Sequence, residues 1–122
     1  MIENRLSDYL SHMLDAANQA CAYVKGMEKQ DFLADKRTQQ AVILNIVIIG
    51  EAATRLLKDY DGFLRGHPEI PWSAMKGMRN RIAHCYFDIN LDIVWDTVKT
   101  ALADLLSALP RVQDAARAEN RT

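Results

Sequence analysis

A chain of 122 residues, 49 % hydrophobic with five glycines and three prolines, is one domain long enough to bury a core, which excludes a disordered segment or a metal- or disulfide-stapled mini-protein. Its 15 Lys/Arg stand against 16 Asp/Glu, a formal charge of −1, so no overall basic character marks a protein that tracks a long duplex. Cys21 and Cys85 lack metal-knuckle or redox-pair spacing and read as reduced thiols of a cytoplasmic protein.

The N-terminus, MIENRLSDYLSHML, carries charges from residue 3 onward and no apolar run of a secretory leader. Leu6, Tyr9, Leu10, Met13, Leu14, Ala17, Cys21 and Val24 recur at three- and four-residue spacing and predict an amphipathic helix, with Gly26 as its stop. A second helix is predicted from about Asp35 to Tyr60. Its Val42–Ile49 portion is rich in β-branched residues that favour strands. The absence of proline and the spacing of Ala41, Leu44, Ile48, Ala52 and Leu56 decide for a helix. The run from Ala41 to Ile49 is apolar at eight of nine positions, short of the ~20 residues that span a bilayer, so it is expected in a core and no membrane partner is expected. Apolar residues nearly all round this helix imply burial on two sides, one the core and the other a subunit interface.

Asp61-Gly62 and Gly66-His67-Pro68 mark a loop. Pro71-Trp72-Ser73 opens a third helix, with proline near the first turn, and this helix is expected to end around His84–Tyr86. Asn90 is the predicted N-cap of a fourth helix, with Asp92 in its first turn. Its apolar stripe is Leu91, Val94, Trp95, Val98, Leu102, Leu105 and Leu109. Pro110 is expected to interrupt it, leaving a polar tail or a short final helix to Thr122. The fold expected is all-α: one domain over residues 1–122, an antiparallel four-helix bundle with a short additional C-terminal helix.

Charge is unevenly spread. Residues 62–86 hold Arg65, Lys76, Arg79 and Arg81 against the single acid Glu69, while the segments on either side are each net negative. Such an island suits one phosphate-bearing site, or is chance clustering on a solvated face. Inside it lies Arg79-Asn80-Arg81-Ile82-Ala83-His84-Cys85-Tyr86. On a helix Asn80 and His84 share a face, whereas Arg79 and His84 diverge by about 140°. The long arginine stem lets a guanidinium, an amide, an imidazole and a phenol reach one cleft without forcing them there. These groups suit RNA cleavage. An imidazole moves protons at neutral pH, and arginine stabilises phosphorane charge without titrating. The histidines and cysteines have no ligand spacing, so no metal or cofactor is called for.

Arg79, any four residues, His84, any one, Tyr86 resembles the signature of the HEPN superfamily of small helical ribonucleases. The whole chain is similar to its HepT type, since Gly50-Glu51, Ile70-Pro71-Trp72, Gly77-Met78-Arg79-Asn80 and the Trp95 helix also match in place. The resemblance implies a metal-independent RNA endonuclease, the toxin of a bacterial type II- or type VII-like toxin–antitoxin pair, acting as a homodimer with both motifs lining one cleft. It also implies a partner, an MntA-like minimal nucleotidyltransferase antitoxin that silences the toxin by transferring AMP from ATP to the motif tyrosine. Carried over, Arg79 would bind and polarise the RNA phosphate, His84 would be the general acid/base, and Tyr86 would shape the site and accept the adenylyl group. Asn80 would hold substrate or orient His84.

Glu51 reads either as a partner fixing Arg79 or as part of an exposed polar strip. Arg81 and Lys76 read as electrostatic helpers or plain surface charge, His12 as solvated, His67 as a turn residue, Cys85 as a bystander, and Asp88 and Asp92 as loop and cap residues. Trp72 and Trp95 read as core rather than base-stacking platforms. Two rival readings remain: a catalytically silent helical partner and substrate of a nucleotidyltransferase, and a helical scaffold in which Arg79 and His84 are decorative.

Overall fold

A computed structural model describes residues 5–120. Its helices are α1 (Leu6–Tyr23), α2 (Lys29–Leu33), α3 (Lys36–Asp59), α4 (Asp61–Arg65), α5 (Trp72–His84), α6 (Leu91–Asp96) and α7 (Leu102–Asn120), with a π-helical segment at Thr97–Ala101 joining the last two. Four rods therefore make the bundle: α1, α3, α5 and the run from Leu91 to Asn120. No strand occurs among the described residues. The all-α bundle expected from the sequence is what forms.

Local chemistry sets the ends of the long rods. The Asp35 carboxylate accepts from the Thr38 amide at 3.1 Å and from its hydroxyl at 2.7 Å, satisfying a donor that α3 leaves free at its start. Those bonds hold the Asp35 carboxyl below its usual range, so the cap operates at neutral pH and is lost as pH falls through that lowered value. Asn90 caps α6 as its residue type predicts, its side-chain oxygen accepting from the amides of Asp92 and Ile93 at 3.0 and 3.2 Å. After α1 the chain turns at Gly26 with φ of 80°, a conformation costly for any residue with a Cβ.

α3 is the central rod, with α1 packed along one side and α5 along another, while α7 packs on α1. The Arg5 amide donates to the Tyr60 hydroxyl at 2.9 Å, placing the start of α1 beside the end of α3, so the two run antiparallel. By length and hydropathy alone α3 is apolar enough to cross a membrane. Here those residues fill the bundle instead: Val42, Ile46, Ile49, Ala53 and Leu56 are buried between its neighbours. Within the chain α1 and α5 thus take two sides of this helix. A narrower apolar strip stays open, with Leu44 60 % and Ile48 37 % exposed.

Three features depart from the sequence reading. Asp61-Gly62, read as part of a loop, opens the short helix α4, which buries Leu64. The short α2 forms between Gly26 and Asp35, where no element is predicted, and it inserts the fully buried Phe32 against Trp95 with ring centroids 5.4 Å apart. Pro110 does not interrupt its helix, which continues to Asn120. Proline inside a helix costs about 3 kcal/mol or more. Burial of Leu109, Val112 and Ala116 on the same face, at roughly 1.5–3 kcal/mol for each of the two larger side chains, outweighs that cost. Upstream, the π segment inserts one residue into the ladder: the Leu102 amide bonds to the Thr97 carbonyl, five positions back. Both tryptophans are core residues, and the Trp72 indole N–H donates to the His67 carbonyl at 3.1 Å.

The α3–α5 crossing depends on Gly50. A Cβ there would overlap Arg79 Cβ and lie 2.8 Å from the Met75 carbonyl oxygen, both atoms held by the α5 backbone. Gly50→Ala should therefore lower stability by about 1–3 kcal/mol through overpacking, against alanine's helix advantage of roughly 1 kcal/mol. Gly77→Ala, on α5 with nothing within 4 Å of the added methyl, should gain about 0.4–1 kcal/mol. Urea denaturation of the two variants checks the contrast. Equal shifts in one direction would contradict the close crossing.

Candidate functional site

The same crossing builds the site. Gly50 brings the α3 and α5 backbones together, so Glu51, the next residue of α3, meets Arg79 of α5. The Arg79 Nε–H donates to Glu51 Oε1 at 2.7 Å, and the terminal Nη2 reaches the same oxygen. Nη1 donates to the Asn80 side-chain oxygen at 2.7 Å. The Arg79 side chain is 31 % and the Glu51 side chain 42 % exposed, so the pair is fixed yet in contact with solvent. Of arginine's five N–H donors, one on Nη1 and one on Nη2 remain without a partner among the described residues. A guanidinium held on one edge with donors left over is suited to a phosphate or carboxylate oxygen. Between the two readings of Glu51, the geometry selects the partner of Arg79.

The remaining motif residues lie apart from this cluster. His84 is the last residue of α5 and is exposed, with no hydrogen bond or ion pair among the described residues. Cys85 ends the helix and the Asp88 amide bonds back to its carbonyl at 2.8 Å, so Tyr86 sits in a turn. Tyr86 is 64 % and Phe87 86 % exposed, their ring centroids 4.5 Å apart. Within one chain, then, the structure joins Arg79, Asn80 and Glu51 and leaves His84 and Tyr86 free at the adjoining helix end.

Arg81 lies two residues from Arg79, about 200° round the helix. Its guanidinium approaches Met78 Sδ at 3.9 Å and lines an apolar cleft of about 180 Å³ between α5 and α6, with Ile82, Cys85, Ile89 and Ile93. Lys76 is exposed on α5. His67 stacks on Phe63 at 4.7 Å and lies 3.8 Å from Glu69, the loop role expected of it. Asp92 pairs with Lys29 at 2.9 Å, tying α2 to the start of α6 and raising the Lys29 pKa. Burial raises the Cys21 thiol pKa, which disfavours the reactive thiolate. Among the described residues no three of His, Cys, Asp or Glu gather as a metal would require.

His12 is exposed, as its polar neighbours imply, and it also lines a groove between α1 and α3 with Arg5, Tyr9, Glu51 and Arg55. That groove went unread in the sequence. The available signal was the spacing of Arg5, Tyr9 and His12, positions four and three apart that share a helix face.

The chain is thus a small all-α bundle with the Arg79 guanidinium fixed by Glu51 and Asn80, and with His84 and Tyr86 exposed at the end of the same helix. The family model described as "Ribonuclease HepT-like" matches residues 13–112. The chain is 40 % identical over 98 residues to "Probable ribonuclease HepT" of Thermococcus cleftensis, covering 80 % of this chain and 86 % of that one. It is 39 % identical over 93 residues to a "Putative RNase" of Methanocaldococcus jannaschii, covering 76 % and 71 %. A "Putative RNase" of Caldanaerobacter subterraneus subsp. tengcongensis is 34 % identical over 97 residues, covering 80 % and 84 %. No solved structure matches. The chain belongs to the HepT-like ribonuclease family.

Because the Arg79–Glu51 pair is part-exposed, a double-mutant cycle on Arg79→Ala and Glu51→Gln should return a stability coupling of only about 0.2–1 kcal/mol. A coupling of several kcal/mol would mark the pair as a structural element of the bundle rather than a positioning contact.

Proposed function

We propose that the protein is a metal-independent RNA endonuclease, the toxin of a bacterial toxin–antitoxin pair. The observation that carries the reading is the Arg79 guanidinium, held by Glu51 and Asn80 with donors to spare, in a chain of a ribonuclease family. Its spare N–H groups bind two non-bridging oxygens of the scissile phosphate and stabilise the charge that grows there. His84 takes the proton of the adjacent 2′-OH as that oxygen attacks phosphorus. The P–O5′ bond breaks, the leaving oxygen takes a proton from the His84 imidazolium so formed, and the products are a 2′,3′-cyclic phosphate and a free 5′-OH.

One chain offers a small site, and its motif groups diverge round α5. The exposed Leu44 lies on the α3 face that leads to Glu51, seven positions away. A second copy covering it would bring two motifs to one cleft. The pairing is expected to persist at micromolar concentration by sedimentation, and Leu44→Asp should dissociate it and suppress cleavage. A stable wild-type monomer would overturn the composite cleft.

Cleavage of a mixed RNA substrate should continue in EDTA. His84→Ala should lower the rate by about 10²–10⁴ and Arg79→Ala by about 10²–10³, with helical circular dichroism unchanged. A requirement for added Mg²⁺, or full activity in either variant, would refute the mechanism.

Control falls on Tyr86. Its hydroxyl stands in an exposed turn, where an MntA-like nucleotidyltransferase can transfer AMP to it from ATP, releasing pyrophosphate. The new phosphodiester is an anion beside the motif cations and its adenosine is bulk in their cleft, so inhibition is ionic and steric together. Intact-mass analysis after co-expression with that enzyme should show added AMP, absent in Tyr86→Phe. An adduct mapped to Tyr9, Tyr23 or Tyr60 would exclude this assignment.

A further inference from the structure

Beside the Arg79 cluster runs a second cationic surface. Arg5, Tyr9 and His12 descend one face of α1, and Ile48, Glu51 and Arg55 ascend the facing side of α3, enclosing an open groove of about 340 Å³. That size lies within the ~300–1,000 Å³ of small-ligand sites. Neither Arg5 nor Arg55 has an ion-pair partner among the described residues. The groove's own acid, Glu51, is engaged by Arg79. The Arg5 guanidinium carbon lies 5.2 Å from the centre of the Tyr9 ring, a cation–π contact that orders both groups before any ligand arrives. Val47, Ile48 and Ala52 supply an apolar wall.

We propose that this groove is an anchoring subsite for single-stranded RNA, holding a nucleotide that flanks the one cleaved at Arg79. The proposal rests on the ribonuclease reading and extends the RNA path across Glu51, which touches both the groove and the Arg79 fork. Arg55 and Arg5 bind backbone phosphate, and the Tyr9 ring and apolar wall receive an unstacked base. Two cations with an aromatic face are the elements by which proteins hold single strands. A duplex would need a longer run of positive charge than residues 1–61 offer, with seven Lys/Arg against nine Asp/Glu. Glu51 thereby acquires a second effect: its charge is neutralised at the point where the RNA backbone must pass.

The test compares two substrates, a dinucleoside monophosphate, which has no phosphate besides the scissile one for Arg5 or Arg55 to bind, and an unstructured oligoribonucleotide of about twelve nucleotides. Arg55→Glu and Arg5→Glu should each raise KM for the longer RNA at least about tenfold, the loss of one charge-assisted contact, with kcat retained. Cleavage of the dinucleoside monophosphate should stay within about twofold by the same reasoning. For Arg55→Ala, the slope of log affinity against log salt should fall by about 0.7, one phosphate contact on a single strand. Unchanged KM for both substrates would overturn the subsite, and so would an equal fall of kcat on both, which places the effect at the catalytic centre. If the charge reversals spared RNA but abolished complex formation with a co-expressed nucleotidyltransferase, the groove would be a protein-docking face and the proposal wrong. Should the wild type cleave neither substrate, the ribonuclease reading fails on its own. Fluorescence anisotropy with a 2′-O-methyl oligonucleotide then decides the groove separately: binding lost in Arg55→Glu supports it, and no wild-type binding overturns it.

Discussion

The α3–α5 crossing at Gly50 is the constraint on which the site depends. Without a Cβ at that position the two backbones come close enough for Glu51 to meet Arg79 through short bonds. A wider crossing would leave a flexible arginine whose rotamer entropy has to be lost again with each ligand, at up to about 2 kcal/mol. Glycine's entropic cost within a helix, roughly 0.5–1 kcal/mol relative to alanine, is thus offset by order in the charged group. α5 packs chiefly along α3. Its other side faces apolar clefts lined by Met75, Met78, Arg81 and Ile93. The position of the motif helix is accordingly set from one side, and the Gly50 region carries that burden.

Much of the fold was legible because its signals are local. The Asn90 cap, the stop at Gly26 and the apolar spacing along α1 depend on residues within a turn or two of one another, and each formed as read. On α3 the helix formed as read, but its buried face runs through Val42, Ile46, Ile49 and Ala53, while Leu44 and Ile48 of the expected stripe are exposed. What escaped depended on distant partners. Phe32 makes a helix of a polar segment because Trp95, far along the chain, offers it a surface. Pro110 is carried through because Leu109 and Val112 are buried against the bundle, which a proline rule cannot know. The π segment changes which residues of the last rod face inward, and no feature of Thr97–Ala101 announces it.

The site divides in the same way. Glu51 stood out as a lone acid in an apolar helix, but only the crossing decides that it meets Arg79. Arg81, adjacent to the motif in sequence, points across α5 into an apolar cleft, since a separation of two residues turns a side chain to the opposite face. The α1–α3 groove joins residues up to fifty positions apart, so it had no linear signature beyond its helical spacing.

The contrast between Arg79 and His84 follows from what each must do in the proposed reaction. A group that stabilises developing charge is effective when it is already oriented, because reorganising it during the reaction consumes the stabilisation it offers. Arg79 is held by Glu51 and Asn80 before any substrate arrives. A group that moves protons must instead address one oxygen as acceptor and another as donor, and it gains from freedom to adjust. His84 occupies the last position of α5, where the helix ends at Cys85 and no described side chain holds the ring. The same exposure that gives the imidazole this freedom also leaves Tyr86, two residues on, in solvent, where the proposed adenylylation would take place. Catalysis and its control would thus draw on a single structural fact, the termination of α5 in solvent.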